Sequence, residues 1–397
     1  MTKLLRHTLA AALCLNVFAS TASAQAHGNH GSKAARPELG SAALFATDGS
    51  LLVVSKQGDH LLLHRGDAEG KTWAPPVRIN AEPEAIAAEG EGRPKLAQAA
   101  DGAIVVSWTK PLGKPYTGEI RFARAADGKT FDPPLTVHRD RAEITHRFDS
   151  LKVMRDGRIL VAWIDKRDLE TAKASKTPYR GAAIYSAVST DHGKTFQPEQ
   201  KVADHSCECC RIAIAEDRDG SALLFWRHVF APNERDHALA TLRADGTPIR
   251  VQRATFDRWK IDACPHHGPG LAVDDQGTRH AVWFNIKDGE GRVFYGRLMP
   301  KADGLTVDGQ RPIGGKRAQH ADIAASGQGI AIVWKEFDGE QTRLQGLRSD
   351  DGGQTFHELA LDGTDGASSQ PQLLTRGEAF FAFWRTERQG FRLHRLP

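Results

Sequence analysis

Apolar and polar positions along this chain alternate in short bursts, and the bursts recur. "SAALFATDGSLLVVSK", "RPKLAQAADGAIVVSW", "FDSLKVMRDGRILVAW", "CRIAIAEDRDGSALLFW", "GPGLAVDDQGTRHAVWF", "ADIAASGQGIAIVW" and "QPQLLTRGEAFFAFW" share one pattern: a first strand, an x-Gly turn and a more apolar second strand. Alternation at period two marks a half-buried strand, and a short apolar run marks a strand covered on both faces. The turn residues Gly49, Gly102, Gly157, Gly220, Gly277, Gly329 and Gly377 suit the positive φ of tight hairpins. Trp108, Trp163, Trp226, Trp283, Trp334 and Trp384 close the second strand in six of the seven copies. A tryptophan recurring at one position suits a packed seam between neighbouring units.

The copies recur about every fifty residues, which leaves room in each for two more strands. Third strands are visible in "GEIRFAR", "AAIYSAVS", "RVFYGRL" and "RLQGLRS". A four-stranded unit at this period predicts an all-β chain folded as a β-propeller, with seven blades favoured and six the alternative. A helical solenoid would need a 3.6 period, which these segments lack. The seventh copy reaches Pro397 after roughly three strands, so the segment before the first copy is expected to supply the missing edge.

The ends and the charge narrow the setting. Lys3 and Arg6 precede an apolar stretch at residues 8–19, and Ala22-Ser23-Ala24 offers a small-residue cleavage site. That pattern predicts a secretory signal peptide at 1–24, a His-containing leader at 25–40 and the propeller at 41–397. Cys14 does not make a lipoprotein site, because Leu13 stands where a small residue is needed. The expected location is the periplasm or outside the cell. Cleavage would take the formal charge from +4 to +2, with acids and bases interspersed, so nothing resembles a nucleic-acid grip. No later run approaches eighteen apolar residues, so no membrane span is expected.

"STDHGKTF" (Ser189 to Phe196) and "SDDGGQTF" (Ser349 to Phe356) match S-x-D-x-G-x-T-[FW], and "GDAEGKTW" and "RAADGKTF" are degenerate copies. These turns resemble the Asp-box, or BNR, repeat of the sialidase-like propeller superfamily. Asp191 and Asp351 are read as bonding local backbone N–H groups, with Phe196 and Phe356 packing inward. The resemblance does not carry sialidase activity. Such enzymes typically need an arginine triad, an F-R-I-P arginine, a Tyr–Glu nucleophile pair and an Asp acid. This chain has no F-R-I-P, and Tyr116, Tyr179, Tyr185 and Tyr295 lack the nucleophile's setting. Arg93, Arg147 and Arg211 recur near the first strand of three successive copies and are candidate anion ligands, or else solvated or paired rim arginines.

The superfamily's geometry implies that first-strand starts share one channel mouth. Cys207, Cys209, Cys210 and Arg211 open the fourth copy, Cys264, His266 and His267 the fifth, and His320 the sixth. Four cysteines in an exported chain ordinarily suggest two disulfides. Three of them lie in C-x-C-C, and a vicinal bond is strained because adjacent Cα atoms stand about 3.8 Å apart against a usual range of about 4.4–6.8 Å. Thiolates and imidazoles instead suit copper(I) or zinc(II). Three readings follow: a Cys/His metal site, copper favoured, or thiol-redox site; a hydrolase or lyase for an acidic sugar, using rim arginines and carboxylates such as Asp165 or Asp168; and a protein-binding scaffold braced by a disulfide. The first leads. The expected partners are a metal ion or small anionic ligand, with an exported protein as a further candidate. A second copper site is expected at His27, third in the cleaved chain, where amine, amides and imidazole make a square-planar nitrogen set.

Overall fold

The computed structural model describes residues 37–263, 265–287 and 289–397. Their strands form seven antiparallel sheets, each in unbroken chain order, set around one axis as a seven-bladed propeller. Six sheets have four strands; the seventh has three, Gln372–Arg376, Ala379–Thr386 and Gly390–Arg395. Blades are numbered 1–7 here in chain order. The expected signal peptide, most of the leader, His27 and the segment expected to complete blade 7 lie outside the described residues.

Each hairpin read from the sequence is the inner and second strand of a blade. The tryptophans explain how blades adhere. There are seven apolar clusters, one per blade interface, and each Trp sits in the cluster shared with the preceding blade. All six are buried, Trp334 being the most accessible at 5%. An aromatic of this size removes about 150–250 Å² from water, a transfer gain of about 4–6 kcal/mol at 25 cal/mol per Å² before entropy is subtracted. Five indole N–H groups find acceptors, for example Trp163 on Asp165 Oδ2 at 2.9 Å and Trp384 on the Ser369 carbonyl at 3.1 Å. Trp226 Nε1 is buried without a partner.

Blade 1 lacks the tryptophan, and the ring closes differently there. The Gln372 amide of blade 7 accepts from Ala43 N at 3.0 Å and donates to Ala43 O at 3.1 Å. Phe381 and Phe383 pack beside Leu51 and Val53 across the same seam.

The Asp turns follow from their residue types. Asp351 Oδ1 accepts from Gln354 N at 3.0 Å and Thr355 N at 2.9 Å, and Oδ2 accepts from Thr355 Oγ1 at 2.6 Å. Asp191 repeats the pattern on Lys194 and Thr195. Phe196 and Phe356 turn inward to meet Phe122 and Tyr295. Asp67 in the degenerate first copy does the same work on Lys71 and Thr72.

At the opposite ends of the blades two inner strands bulge. In blades 3 and 6 two residues stand opposite one tryptophan: Phe148 and Asp149 facing Trp163, His320 and Ala321 facing Trp334. Phe148 and His320 take φ of 57° and 53° there. Such bulges re-aim side chains next to functional sites, and His320 is thereby turned into the channel mouth.

Candidate functional site

The chain leaves blade 3 at Ser206 and enters the inner strand of blade 4 at Ala213, and the cysteine run is the crossover between them. Cys207 N donates to the Arg227 carbonyl at 2.9 Å, fixing the run against the second strand of blade 4. Cys207 Sγ then stands 3.8 Å from Cys209 Sγ and 3.6 Å from Cys210 Sγ. All three sulfurs lie within 4.8 Å of one another, and the residues are 1%, 4% and 2% exposed. These separations exceed a disulfide's length of about 2.05 Å, so the three are not bonded to one another. They line the apolar seam between blades 3 and 4, with Ile164, Ile212 and Trp226. The hydrogen-bonded thiol of Cys207, with burial adding to it, pushes the Cys210 thiol well above its usual value.

Two arginines and a neutral, buried histidine stand near the sulfurs. Arg227 is buried, donates to Asn285 Oδ1 at 2.7 Å and to carbonyls, and lies over the Trp259 ring at 5.1 Å. It forms no ion pair among the described residues, and its Nε has no partner. Arg235 Nη1 is 3.8 Å from Cys207 Sγ. His237, cross-strand from Arg227, is buried with Nε2 unpartnered. Burial and the Arg227 charge push its imidazole well below the usual value, against the opposing effect of Cys207.

A second centre occupies the channel mouth. Glu91, from the loop before blade 2, is buried, and Oε1 accepts from Gly268 N and Gln370 Nε2, each at 3.1 Å, with His320 Nδ1 at 3.2 Å. Arg211 Nη1 lies 3.7 Å from Oε2. Arg211 also donates through Nε to the Pro269 carbonyl at 3.0 Å and through Nη2 to the Ala321 carbonyl at 2.5 Å. Five blades thus meet on one carboxylate and close the mouth. Burial by itself would raise the Glu91 carboxyl, but Arg211 and His320 outweigh it and hold the group below the usual carboxylate range. Gly268 is required: a Cβ there would stand 2.1 Å from Arg211 Cγ and 2.7 Å from Glu91 Oε2.

The residues singled out in the sequence therefore separate. The three described cysteines converge. His267 instead stacks on Phe284 at 4.1 Å and tilts against His320 at 4.6 Å, its imidazole pushed down to about 3 by burial with His320 adding. His266 is exposed. No ligand atom of these three histidines belongs to the sulfur cluster. Cys264 lies outside the described residues. Arg211 is locked in the hub, Arg93 lines the channel below it, and Arg147 lies apart over the Phe148 ring at 4.8 Å, with the exposed Tyr116 at 6.0 Å. Asp165 accepts from Trp163 and three nitrogens of Arg167, and Asp168 from Tyr185 and Lys201. Glu91, Gln370, Arg227 and His237 were not evident from the sequence. The faintest signal was Gln370, which opens the seventh copy where Arg and His open others.

No protein-family model matches the sequence, and no curated protein does. Among solved structures the chain is similar to a protein of unknown function from Dyadobacter fermentans, at TM-score 0.55 and 17% identity over 80% of this chain and 95% of that one. It is similar to an ulvan lyase bound to -[GlcA(1-4)Rha3S]-, at 0.57 and 12% over 89% and 91%. It is also similar to the α-L-arabinanase of Penicillium chrysogenum complexed with arabinobiose, at 0.50 and 11% over 76% and 92%. At these identities the likeness is one of fold alone, the seven-bladed β-propeller.

Proposed function

We propose that the protein is an exported metal-binding propeller that holds one thiophilic ion, copper(I) foremost and zinc(II) second, at Cys207, Cys209 and Cys210. The observation that carries this reading is the sulfur spacing. A metal–sulfur bond of about 2.3 Å sets thiolates about 4.0 Å apart in a trigonal plane and about 3.8 Å apart in a tetrahedron. The observed 3.8 Å meets the tetrahedral value and the observed 3.6 Å lies about 0.2 Å short of it, so a small outward shift of one sulfur would seat an ion. Thiolate sulfur is a soft donor and selects such ions over calcium or magnesium. A copper(I) centre of two or three thiolates, or a zinc(II) centre of three, would carry net negative charge, and Arg227 and Arg235 are placed to offset it. Burial keeps water and competing oxidants from the sulfurs. The His27 motif and the signal peptide support a copper-handling role in an oxidising compartment.

The acidic-sugar enzyme has less support, because Asp165 and Asp168 are occupied by protein donors. The test is a competition titration of the reduced full chain with copper(I) against bicinchoninate. One equivalent should be withdrawn, and Cys209→Ser/Cys210→Ser should weaken it by ~10³-fold with the strand-rich circular dichroism kept. A wild type that cannot compete for copper(I) and also fails to bind zinc(II) would end the reading.

A further inference from the structure

We infer that the central channel is a receptor for a small oxyanion, held by Arg93 and Lys95, with Lys152 adding its charge to the same cavity. It shares no residue with the sulfur cluster. Below the Glu91 hub the channel opens into a cavity of about 960 Å³, walled by the inner strands of blades 2 to 7. Its far end is lined by the exposed Arg155, Arg218 and Asp275 of the hairpin turns, so a solute enters there and not through the closed mouth.

The acids and bases of this wall are treated differently by the fold. Apart from the exposed Asp275 at the far end, the acids are engaged. Glu216 pairs with Arg155 at 3.2 Å, Asp322 Oδ2 accepts from Leu373 N at 2.9 Å, and Asp274 accepts from Thr278 N at 2.8 Å and faces His280 at 3.1 Å. The three cations feel carboxylates only at a distance: Asp322 and Glu91 for Arg93, Asp149 and Glu91 for Lys95, and Glu216 for Lys152. None of Arg93, Lys95 and Lys152 forms an ion pair among the described residues. Arg93 offers five N–H donors and spends one, on the Gln370 carbonyl at 3.4 Å. Lys95 Nζ donates to the Arg93 carbonyl, and the Lys152 ammonium makes no hydrogen bond to the described residues. All three are half-buried and line the cavity. Burial lowers each of them, Lys95 to about 8.

Unpaired cations inside a protein cost free energy unless something else neutralises them. A guanidinium fork beside an ammonium is the donor set that carboxylate, sulfate and phosphate accept most strongly. The shared chemistry is a small oxyanion, and the cavity also has room for the sugar that bears one.

Calorimetry on the reduced full chain at low ionic strength, with inorganic phosphate, sulfate and D-glucuronate as separate probes, tests the site. At least one probe should bind with Kd between ~10 µM and ~1 mM, more weakly as salt rises. Glucuronate preferred over both inorganic anions identifies a sugar acid; the reverse identifies a free tetrahedral anion. Lys95→Met should weaken binding at least ~10-fold. Lys152→Met, which breaks no hydrogen bond among the described residues, should also weaken it and guards against a folding defect. Cys209→Ser/Cys210→Ser should bind the anion as wild type does, so loss of the metal reading leaves this one standing. No binding by ~10 mM of any probe, or unchanged affinity in both lysine variants, overturns it.

Discussion

The thiol pocket and the Glu91 hub are both built where inner strands begin, but the fold gathers soft donors in one and opposite charges in the other. In the hub Glu91 Oε1 alone has three contacts, while Oε2 makes no hydrogen bond and is held by the Arg211 charge at 3.7 Å. In the pocket three soft donors converge in an apolar seam, while Arg227 Nε, Trp226 Nε1 and His237 Nε2 around them have no partner. Both regions keep a few buried polar atoms without a hydrogen bond, so what separates them is the kind of donor gathered. A carboxylate paired with a guanidinium neutralises itself and acts as a fastener, whereas the metal reading proposed above rests on three soft donors gathered in an apolar seam.

The sharpest way to break this contrast is to load the pocket. An ion bound to the native state at about a thousand times its Kd adds about 4 kcal/mol to unfolding stability. Copper(I) should therefore raise the denaturant midpoint of the wild type and leave Cys210→Ser unmoved. Arg211→Met, which damages only the hub, should keep the copper-dependent increment. If the increment vanishes in Arg211→Met and survives in Cys210→Ser, the two regions have been assigned the wrong way round.

The same hub variant should lower stability without copper. Removing Arg211 leaves Glu91 buried beside no guanidinium, a loss of about 3 kcal/mol in a urea titration. Gly268→Ala should approach the same result by forcing Arg211 and Glu91 apart. A hub that tolerates both changes within experimental error is not a fastener.

How far each region could be read from the sequence follows from how it is assembled. The hairpins and their tryptophan seams were legible because period-two patterning and an x-Gly turn are local. The sulfur cluster was legible because its three described cysteines fall within four consecutive positions. The hub was not, since Glu91 meets Gly268, His320 and Gln370 across 177, 229 and 279 residues of chain. Ring closure alone brings them together. Adjacency is a weaker guide for the two histidines that follow Cys264: His266 takes a φ of 52° and is exposed while His267 packs onto Phe284. Neighbours in an irregular loop share a place in sequence without sharing a direction.

Acid should separate pocket from hub through their histidines. Burial is the first cause that holds His228, beside Trp226, at about 4, and His267, beside the hub, at about 3. The folded values lie below the unfolded one near 6.5, so below that pH the unfolded chain binds protons that the native chain refuses. Stability is therefore complete above about pH 6.5 and falls as the pH drops toward the folded values, by about 2 kcal/mol per histidine between pH 6.5 and 5. Chemical denaturation at the two pH values should show the loss, and His228→Gln should remove one histidine's share. Stability that rises on acidification would reverse the sign and refute the buried-neutral assignment.

The smallest effect sharpens the contrast by testing whether an unpartnered polar atom near the sulfurs is a real deficit. Trp226 and Trp384 hold equivalent positions at the ends of second strands, and both are fully packed in a blade seam. Replacing either by Phe removes the same ring volume and leaves a similar cavity. The polar terms differ. Trp384→Phe also breaks the bond from Nε1 to the Ser369 carbonyl and strands a buried acceptor, whereas Trp226→Phe deletes a donor that bonds to nothing. Trp226→Phe should accordingly cost about 1 kcal/mol less than Trp384→Phe in matched urea titrations of the metal-free chain. Equal costs would mean that the Trp226 indole is satisfied in solution, and the shortage of partners around the sulfurs would then be no guide to what the pocket receives.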